Sequence, residues 1–336
     1  MGKMKDGISL ISGLTFKRVW NLVLINLSYY LTRITNRTIH WGNPYSISIE
    51  PTTSCNLRCS ECPSGLRQFS RNTGMLTLDL YRKVVDQVKD RLIYMILYFQ
   101  GEPYLNPQFF DFVKYARKHR IYTATSTNGH YLTDENAQKT IESGLNRLII
   151  SLDGIGQEEY STYRAGGRYD KVVEGIKNMV RWKKQMKSST PHIIVQFIVF
   201  RSNEHQLEQI KKLCREWGVN ELQFKTAQIN DYKNGNPLMT TLDKYSRYRK
   251  MQDGSYTFKN SLPNKCYRMW SSFVITWDGH TVPCCFDKDA DYRMGDLKVI
   301  PFREIWRGKM YTDFRTKVFT KRKEIDICQN CTEGMR

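Results

Sequence analysis

The stretch Pro51-Thr-Thr-Ser-Cys-Asn-Leu-Arg-Cys-Ser-Glu-Cys-Pro63 sets the reading of the whole chain. It places Cys55, Cys59 and Cys62 close together, with three and then two residues between them. Just upstream runs Tyr45-Ser-Ile-Ser-Ile-Glu50, where Ile47 and Ile49 alternate with polar residues as in a short strand. Three thiolates on a loop at a strand's end can hold one small inorganic centre.

A cubane 4Fe–4S cluster normally takes four thiolates. Three, with no fourth cysteine nearby, leave one iron open, and an open position on a metal centre is where chemistry happens. Zinc competes for thiolates, but its structural sites usually draw ligands from two spaced couples rather than a triple.

The 336 residues allow one large domain or a domain with an appendage. Lys and Arg number 52 against 33 Asp and Glu, a net charge of +19. Such a balance suits an anionic substrate or a membrane surface, or serves solubility alone; nucleic acid is not the expected partner. Nine cysteines in clustered spacing point to metal sites in a reducing cytoplasm rather than to disulfides. No run of 18 apolar residues suggests a spanning helix.

Residues 14–36 have helical periodicity. Phe16, Val19, Trp20, Val23, Leu27, Tyr30, Leu31 and Ile34 share one face, while Lys17, Arg18, Asn21, Ser28 and Arg33 fall mainly on the other. With six basic and one acidic residue in 1–44, the segment reads either as an in-plane membrane helix or as a helix packed on the main domain by its apolar face. The expected location is cytoplasmic, with peripheral membrane contact left open.

From 45 to 225 strand-like and helix-like segments alternate. Strands are expected at 45–51, 92–99, 121–126, 147–152, 192–199 and 219–224, and helices at 77–90, 107–119, 133–143, 169–187 and 204–217. This alternation predicts βαβ units and a parallel sheet. The fold class is α/β, a partial (β/α)6 TIM-type barrel, with its active site at the C-terminal strand ends. Asn203 is placed as the cap of the helix from 204. Cys214 reads as a core thiol. Residues 226–262, rich in Asn, Gly and Asp, read as a linker across the barrel mouth.

The triple after a first strand resembles the radical S-adenosylmethionine (SAM) superfamily. The resemblance implies that Cys55, Cys59 and Cys62 hold a 4Fe–4S cluster whose open iron chelates SAM. It also implies reductive cleavage to a 5′-deoxyadenosyl radical, hydrogen abstraction from substrate, and an external one-electron reductant such as flavodoxin or ferredoxin. Gln100-Gly101-Glu102-Pro103, after strand 2, resembles the family's Gly-Gly-Glu-Pro motif, which meets the SAM amino group; read alone it is a Gly-Pro turn. Ser126 and Asn128, after strand 3, either bond the SAM ribose or carboxylate or cap a turn. Ser151 and Asp153, after strand 4, point to the same side, so one can face the barrel lumen with the other, and the resemblance makes both candidate SAM contacts. Arg164 resembles a family arginine that pairs with the SAM carboxylate; alternatively it is a surface arginine. Glu61 departs from the family, which often has an aromatic residue there near the adenine.

A second set comprises Cys266, Cys284 and the pair Cys328-Gln-Asn-Cys331, around a hairpin turning at Asp278-Gly279. It resembles the SPASM/twitch extension, which holds auxiliary clusters. The sequence runs five residues past Cys331, so the short twitch form with one auxiliary 4Fe–4S cluster is expected; a structural zinc is the competitor. Adjacent strand residues face opposite ways, so one of Cys284 and Cys285 should be a ligand, and the spacing from Gly279 selects Cys284. The domain plan is 1–44 helical extension, 45–225 barrel, 226–262 linker and 263–336 auxiliary domain. The function implied is oxidation of a small polar, sugar-like or lipid-linked substrate, with the auxiliary cluster accepting an electron. The alternative is a peptide-modifying maturase, disfavoured by a 44-residue N-terminal segment short for a leader-binding domain. A non-catalytic metal-stabilised interaction module is the third reading.

Overall fold

The computed structural model describes residues 2–333. Eleven strands are present: β1 (Ser46–Ile49), β2 (Tyr94–Ile96), β3 (Tyr122–Thr127), β4 (Arg147–Ser151), β5 (His192–Val199), β6 (Glu221–Thr226), β7 (Tyr248–Lys250), β8 (Tyr256–Phe258), β9 (Ser272–Ile275), β10 (His280–Val282) and β11 (Gly295–Asp296). The first six are the six expected from alternation, each with its core inside the expected range or shifted by about two residues. Helices Leu78–Val88, Phe109–Lys118, Asp134–Ser143, Tyr169–Gln185 and Leu207–Trp217 separate them in turn. Their ends follow local chemistry. Thr77 and Thr133 cap with side-chain oxygens, and Gly144 and Gly218 close helices in the left-handed region at φ 77° and 78°.

The chain divides into two compact units that interleave along the sequence. One takes residues up to Gly7, Cys55–Gln68 and Thr125–Ser261; the other takes Ile8–Ser54, Phe69–Ala124 and the chain from Leu262. In the second unit the strand order is β11-β10-β9-β1-β2-β3. β1 is parallel to both neighbours, with Ser46 opposite Tyr94 on β2 and Ser272 on β9. In the first unit β4, β5 and β6 run parallel, with Ser151 opposite Gln196 and Phe197 opposite Phe224.

Two features go beyond the domain plan. The C-terminal region extends the sheet by pairing β9 with β1, so it shares a unit with the first strands. Residues 226–262 are more than a linker. They form the β7–β8 hairpin, and Ala227, Ile229, Met239 and Tyr248 bury an apolar cluster with Phe200. Tyr248 also hydrogen-bonds the backbone of Ile229. The predicted polar loop hid these residues because they are too far apart to show periodicity.

The N-terminal segment is two helices, α1 (Gly2–Ile11) and α2 (Phe16–Thr35); α1 escaped the sequence reading. Thr15 caps α2, and Asn36 ends it in the left-handed region. The expectation that α2 packs by its apolar face is overturned. The inward residues are Arg18, Asn21, Ile25, Ser28, Tyr29 and Thr32. Arg18 donates to the carbonyls of Gly13, Lys89, His119 and Arg120, two of which belong to the cap residues of helices Leu78–Val88 and Phe109–Lys118. A cation suits those negative helix ends. Asn21 exchanges two bonds with the Asn43 backbone, both 2.8 Å.

Candidate active site and auxiliary cysteine site

The first cysteine loop lies in the unit that carries β4–β6. Cys59 is buried, while Cys55 and Cys62 are half-buried. The loop is fixed at several points. Arg58 N–H donates to Ala165 O at 2.8 Å, and Leu66 N–H to Cys62 O at 2.9 Å. Gly65 packs so tightly that a Cβ there would meet Cys59 N at 2.5 Å and Cys59 O at 2.7 Å.

Donors converge on the sulfur of Cys55. Leu57 N–H lies 3.4 Å from its Sγ and Asn128 Nδ2 lies 3.8 Å away, with Asn128 held by Asn56 Oδ1 at 2.8 Å. Such donors favour a thiolate, the form a cluster requires. Burial pushes the Cys59 thiol up, and the Arg164 guanidinium opposes that shift. The surroundings therefore fit an anionic sulfur centre.

Arg164 and Asp153 form a buried pair. Arg164 Nε lies 2.6 Å and Nη2 2.5 Å from Asp153 Oδ2. Asp153 Oδ1 accepts from Ile198 N–H at 2.7 Å. Two readings change here. Arg164 is not a surface arginine, and both carboxylate oxygens of Asp153 are engaged within the protein. Asn203 stands at the N-cap of the 3-10 turn Glu204–Gln206 as expected, but its side chain makes no cap bond; it accepts from Phe200 N–H and donates to the carbonyls of Asp153 and Ile198, fixing the turn behind Asp153. Ser151 ends β4 nearly buried, and Ser126 lies within β3.

Glu61 now has a place. Its carboxylate accepts from Asn230 N–H at 2.8 Å and from Asn236 Nδ2 at 3.4 Å. It ties the cysteine loop to residues 230–236, a role no local motif announces.

The Gln100–Pro103 motif belongs to the other unit. Gly101 has φ 74°, and a Cβ there would meet Thr52 O at 2.3 Å and Ser54 O at 2.8 Å. Only glycine fits this approach. Glu102 is buried; its N–H donates to Ser54 O at 2.8 Å, and its carboxylate accepts from Tyr104 N–H at 3.3 Å. Pro103 starts the turn Pro103–Leu105.

The second constellation is also within that unit. Cys266, Cys284, Cys328 and Cys331 line one small cavity of about 20 Å³, together with Arg268 and Arg322; Cys285 does not line it. Arg322 is fully buried. It donates to Lys265 O and Glu333 O, next to Cys266 and near Cys331, and its Nη2 lies 3.7 Å from Cys331 Sγ. Its Nε is buried and has no hydrogen-bond partner among the described residues. Burial pushes the Cys331 thiol up to about 12, and the Cys328 thiol also up. Four thiols around a cavity with an unused cationic donor fit an anionic cluster. Among the described residues no three His, Cys, Asp or Glu are gathered as for a single metal ion. A tetrahedral zinc would draw its sulfurs to within about 4 Å of each other.

The ladder also anchors this region to β1. Glu50, the residue after β1, accepts from Arg71 Nη1 at 2.8 Å and Arg71 Nη2 at 2.6 Å, both buried, and from Trp277 N–H at 3.2 Å. A wide cavity of about 980 Å³ lies instead beside Leu10, Leu14 and Leu22 and the starting residues of β1, β2 and β9. It contains no motif residue, and barrels place their chemistry at the opposite strand ends.

Residues 49–214 match the Radical SAM superfamily, and residues 266–332 match the SPASM iron-sulfur cluster-binding domain. The chain is similar to the tungsten-containing aldehyde ferredoxin oxidoreductase cofactor-modifying protein of Pyrococcus furiosus. The two are 26% identical over 310 residues, covering 84% of this chain and 86% of that one. It is similar to the mycofactocin maturase of Mycobacterium tuberculosis at 26% over 176 residues, 52% of this chain and 43% of the relative. It is 24% identical to the PqqA peptide cyclase of Bradyrhizobium diazoefficiens over 262 residues, 73% of this chain and 67% of the relative. Among solved structures, SAM-bound SuiB of Streptococcus suis superposes with a TM-score of 0.64 at 12% identity, over 91% of this chain and 75% of that one. The fold is the α/β parallel-sheet fold of radical SAM partial barrels. The chain belongs to the radical SAM superfamily and carries a SPASM-type domain, so it is an enzyme whose cofactors are a SAM-binding 4Fe–4S cluster, S-adenosylmethionine and an auxiliary 4Fe–4S cluster.

Proposed function

We propose that the enzyme modifies a peptide, as a maturase, by radical chemistry begun at Cys55, Cys59 and Cys62. The observation that carries the reading is the paired match, a radical SAM domain followed by a SPASM domain, in a chain similar to a maturase and a peptide cyclase. When bound, the cluster and SAM supply a 5′-deoxyadenosyl radical.

The chain's own residues do the rest. Cys55, Cys59 and Cys62 would hold the first cluster by three thiolates and leave one iron for SAM. Gly101 exposes backbone, and Glu102 offers a carboxylate to the SAM amino group, with Pro103 fixing the turn. Ser126, Asn128 and Ser151 offer hydroxyl and amide groups to the ribose and carboxylate. Arg164, held by Asp153, opposes part of the rise that burial imposes on the Cys59 thiol. Cys266, Cys284, Cys328 and Cys331 would hold one auxiliary cluster, the electron acceptor of an oxidative reaction. Electrons enter from an external one-electron reductant such as flavodoxin or ferredoxin. The second reading, oxidation of a small polar, sugar-like or lipid-linked substrate, draws on the net charge of +19. A peripheral position on an anionic membrane belongs to the same proposal.

Anaerobic reconstitution tests the cofactor residues: about eight irons per chain are expected if both sites hold cubanes. Short peptides encoded beside the gene then test the substrate. A peptide product lighter by two hydrogens, formed with 5′-deoxyadenosine, supports the maturase. Turnover of an aminocyclitol but of no peptide transfers the proposal to the second reading.

A further inference from the structure

The second helix carries its amphipathicity inside out. Seen down its axis, Phe16, Val19, Trp20, Val23, Leu27, Tyr30 and Ile34 recur at three-and-four spacing on one face. That face is exposed: Phe16 83%, Ile34 77%, Trp20 54% and Tyr30 53%. The opposite face is the packed one, and it is largely polar. Its hydrogen bonds, from Arg18 to four carbonyls and from Asn21 to Asn43, are met inside the protein. The helix is therefore locked by its polar side, and rotating it to hide the apolar side would strand these groups at a cost of several kcal/mol.

An exposed apolar stripe of this length marks an interaction surface. Its rim identifies the partner. Arg33 and Lys17, the latter 3.4 Å from the exposed Asp90 carboxylate, flank the stripe on opposite sides and both are exposed, as is Arg37 just beyond the helix. No acidic residue lies between Gly7 and Asn43. Trp20 and Tyr30 are the residue types that sit at headgroup level. Ile8, Ile11 and Leu14, ahead of α2, add further exposed apolar surface. No single described helix is long and apolar enough to cross a membrane. α1 and α2 together satisfy length and composition but are bent by 99°. That geometry suits a helix lying in the interface plane.

We propose that α2 is an in-plane anchor that seats this apolar stripe in an anionic lipid surface, with Lys17, Arg33 and Arg37 reaching phosphate headgroups. This rests on the membrane placement given above and names the surface that performs it. Its strength comes from area and charge together: a large apolar side chain contributes about 1.5–3 kcal/mol when fully buried, and a basic residue near an anionic surface about 1 kcal/mol.

The test is sedimentation of the full-length, reconstituted enzyme with vesicles of phosphatidylglycerol and phosphatidylcholine in equal parts. Wild type is expected to co-sediment, less so as salt rises. The triple variant Phe16→Ser, Trp20→Ser, Ile34→Ser should lose at least about tenfold in binding. Its helix content and SAM cleavage should stay at wild-type values, since the substituted side chains project into solvent. Lys17→Glu with Arg33→Glu should weaken binding to the anionic vesicles and leave phosphatidylcholine binding unchanged. If wild type fails to bind, the membrane placement and the anchor both fall. If wild type binds and the triple variant binds equally, only the assignment to α2 falls. If the triple variant instead turns a dimer into a monomer without any vesicle effect, the stripe is a protein interface and the proposal is overturned.

Discussion

The two cysteine sets differ in how they are enclosed. Cys55 and Cys62 remain half-exposed on a loop, and the nearest cation, Arg164, is already paired with Asp153. Cys266, Cys328 and Cys331 are buried around a small cavity, and Arg322 beside them has no acidic partner in the site. An accessible three-thiolate loop leaves room for a reacting molecule. A four-thiolate cavity with three of its thiols buried leaves less room, and Arg322 offsets part of the rise that burial imposes on the Cys328 and Cys331 thiols. Within the proposed assignments, the first set is built for bond breaking and the second for holding an electron.

The sharpest way to break this contrast is to remove one thiolate from each set. Cys59→Ala should abolish formation of 5′-deoxyadenosine, because two thiolates do not hold a cubane. Cys328→Ala should keep single-turnover SAM cleavage and lose product formation, with about four irons retained per chain. Chromatographic assay of 5′-deoxyadenosine and product separates the two. If Cys328→Ala also loses SAM cleavage, the division of labour is wrong.

Arg322 carries the next largest effect. Arg322→Met would remove the bonds to the part-buried carbonyls of Lys265 and Glu333, a loss of about 1–3 kcal/mol in stability, read by denaturant midpoint. It would also remove the positive charge nearest Cys331, so the auxiliary cluster's reduction potential should fall. Arg322→Lys should restore part of that potential but less of the stability, since an ammonium cannot reproduce the guanidinium's fork. Redox titration followed by electron paramagnetic resonance reads the difference.

The strand and helix order of residues 45–225 was legible because short apolar runs and helical periods alternate there without interruption. The cysteine spacing was equally plain. What stayed hidden depended on contacts distant in sequence. The periodicity of residues 14–36 identified a helix and its two faces but left open which one packs inward. The burial of Arg18 depends on carbonyls about 70 and 100 residues away. Asp153 read as a ligand contact because its partner Ile198 sits on another strand. Glu61 read as a departure from the family because Asn230 and Asn236 lie some 170 residues downstream. The pairing of β9 with β1 likewise leaves no local mark.

Acid should reach the auxiliary unit through His40. Its ring packs against Trp270 and Trp306, and burial, aided by Arg315 and Arg307, holds its pKa down at about 2. The unfolded imidazole titrates near 6.5. Above that pH both states are neutral and no penalty exists. Below it the unfolded state binds the proton and the folded state does not, so stability is lost as pH falls from about 6.5 toward 2. The slope is at most about 1.4 kcal/mol per pH unit, so moving from pH 6.5 to 5 costs up to about 2 kcal/mol. Urea unfolding at the two pH values measures this, and His40→Phe should flatten the difference. An unchanged slope in that variant would assign the acid sensitivity elsewhere.

The smallest effect concerns the open site. Glu61 holds residues 230–236 against the cysteine loop by two hydrogen bonds. Their net worth is about 1–2 kcal/mol, part-exposed as they are. Glu61→Ala should therefore leave global stability almost unchanged while raising local opening of 230–236 by roughly tenfold. Hydrogen exchange at Asn230 N–H reads that opening directly. If the segment covers the reacting radical, the variant should also form 5′-deoxyadenosine in excess of product, because a loosened cover lets the radical be quenched by solvent-borne donors. Faster exchange with unchanged coupling would make Glu61 a tether only. Unchanged exchange would remove the tether, and with it the account of why an acidic residue stands before the third cysteine.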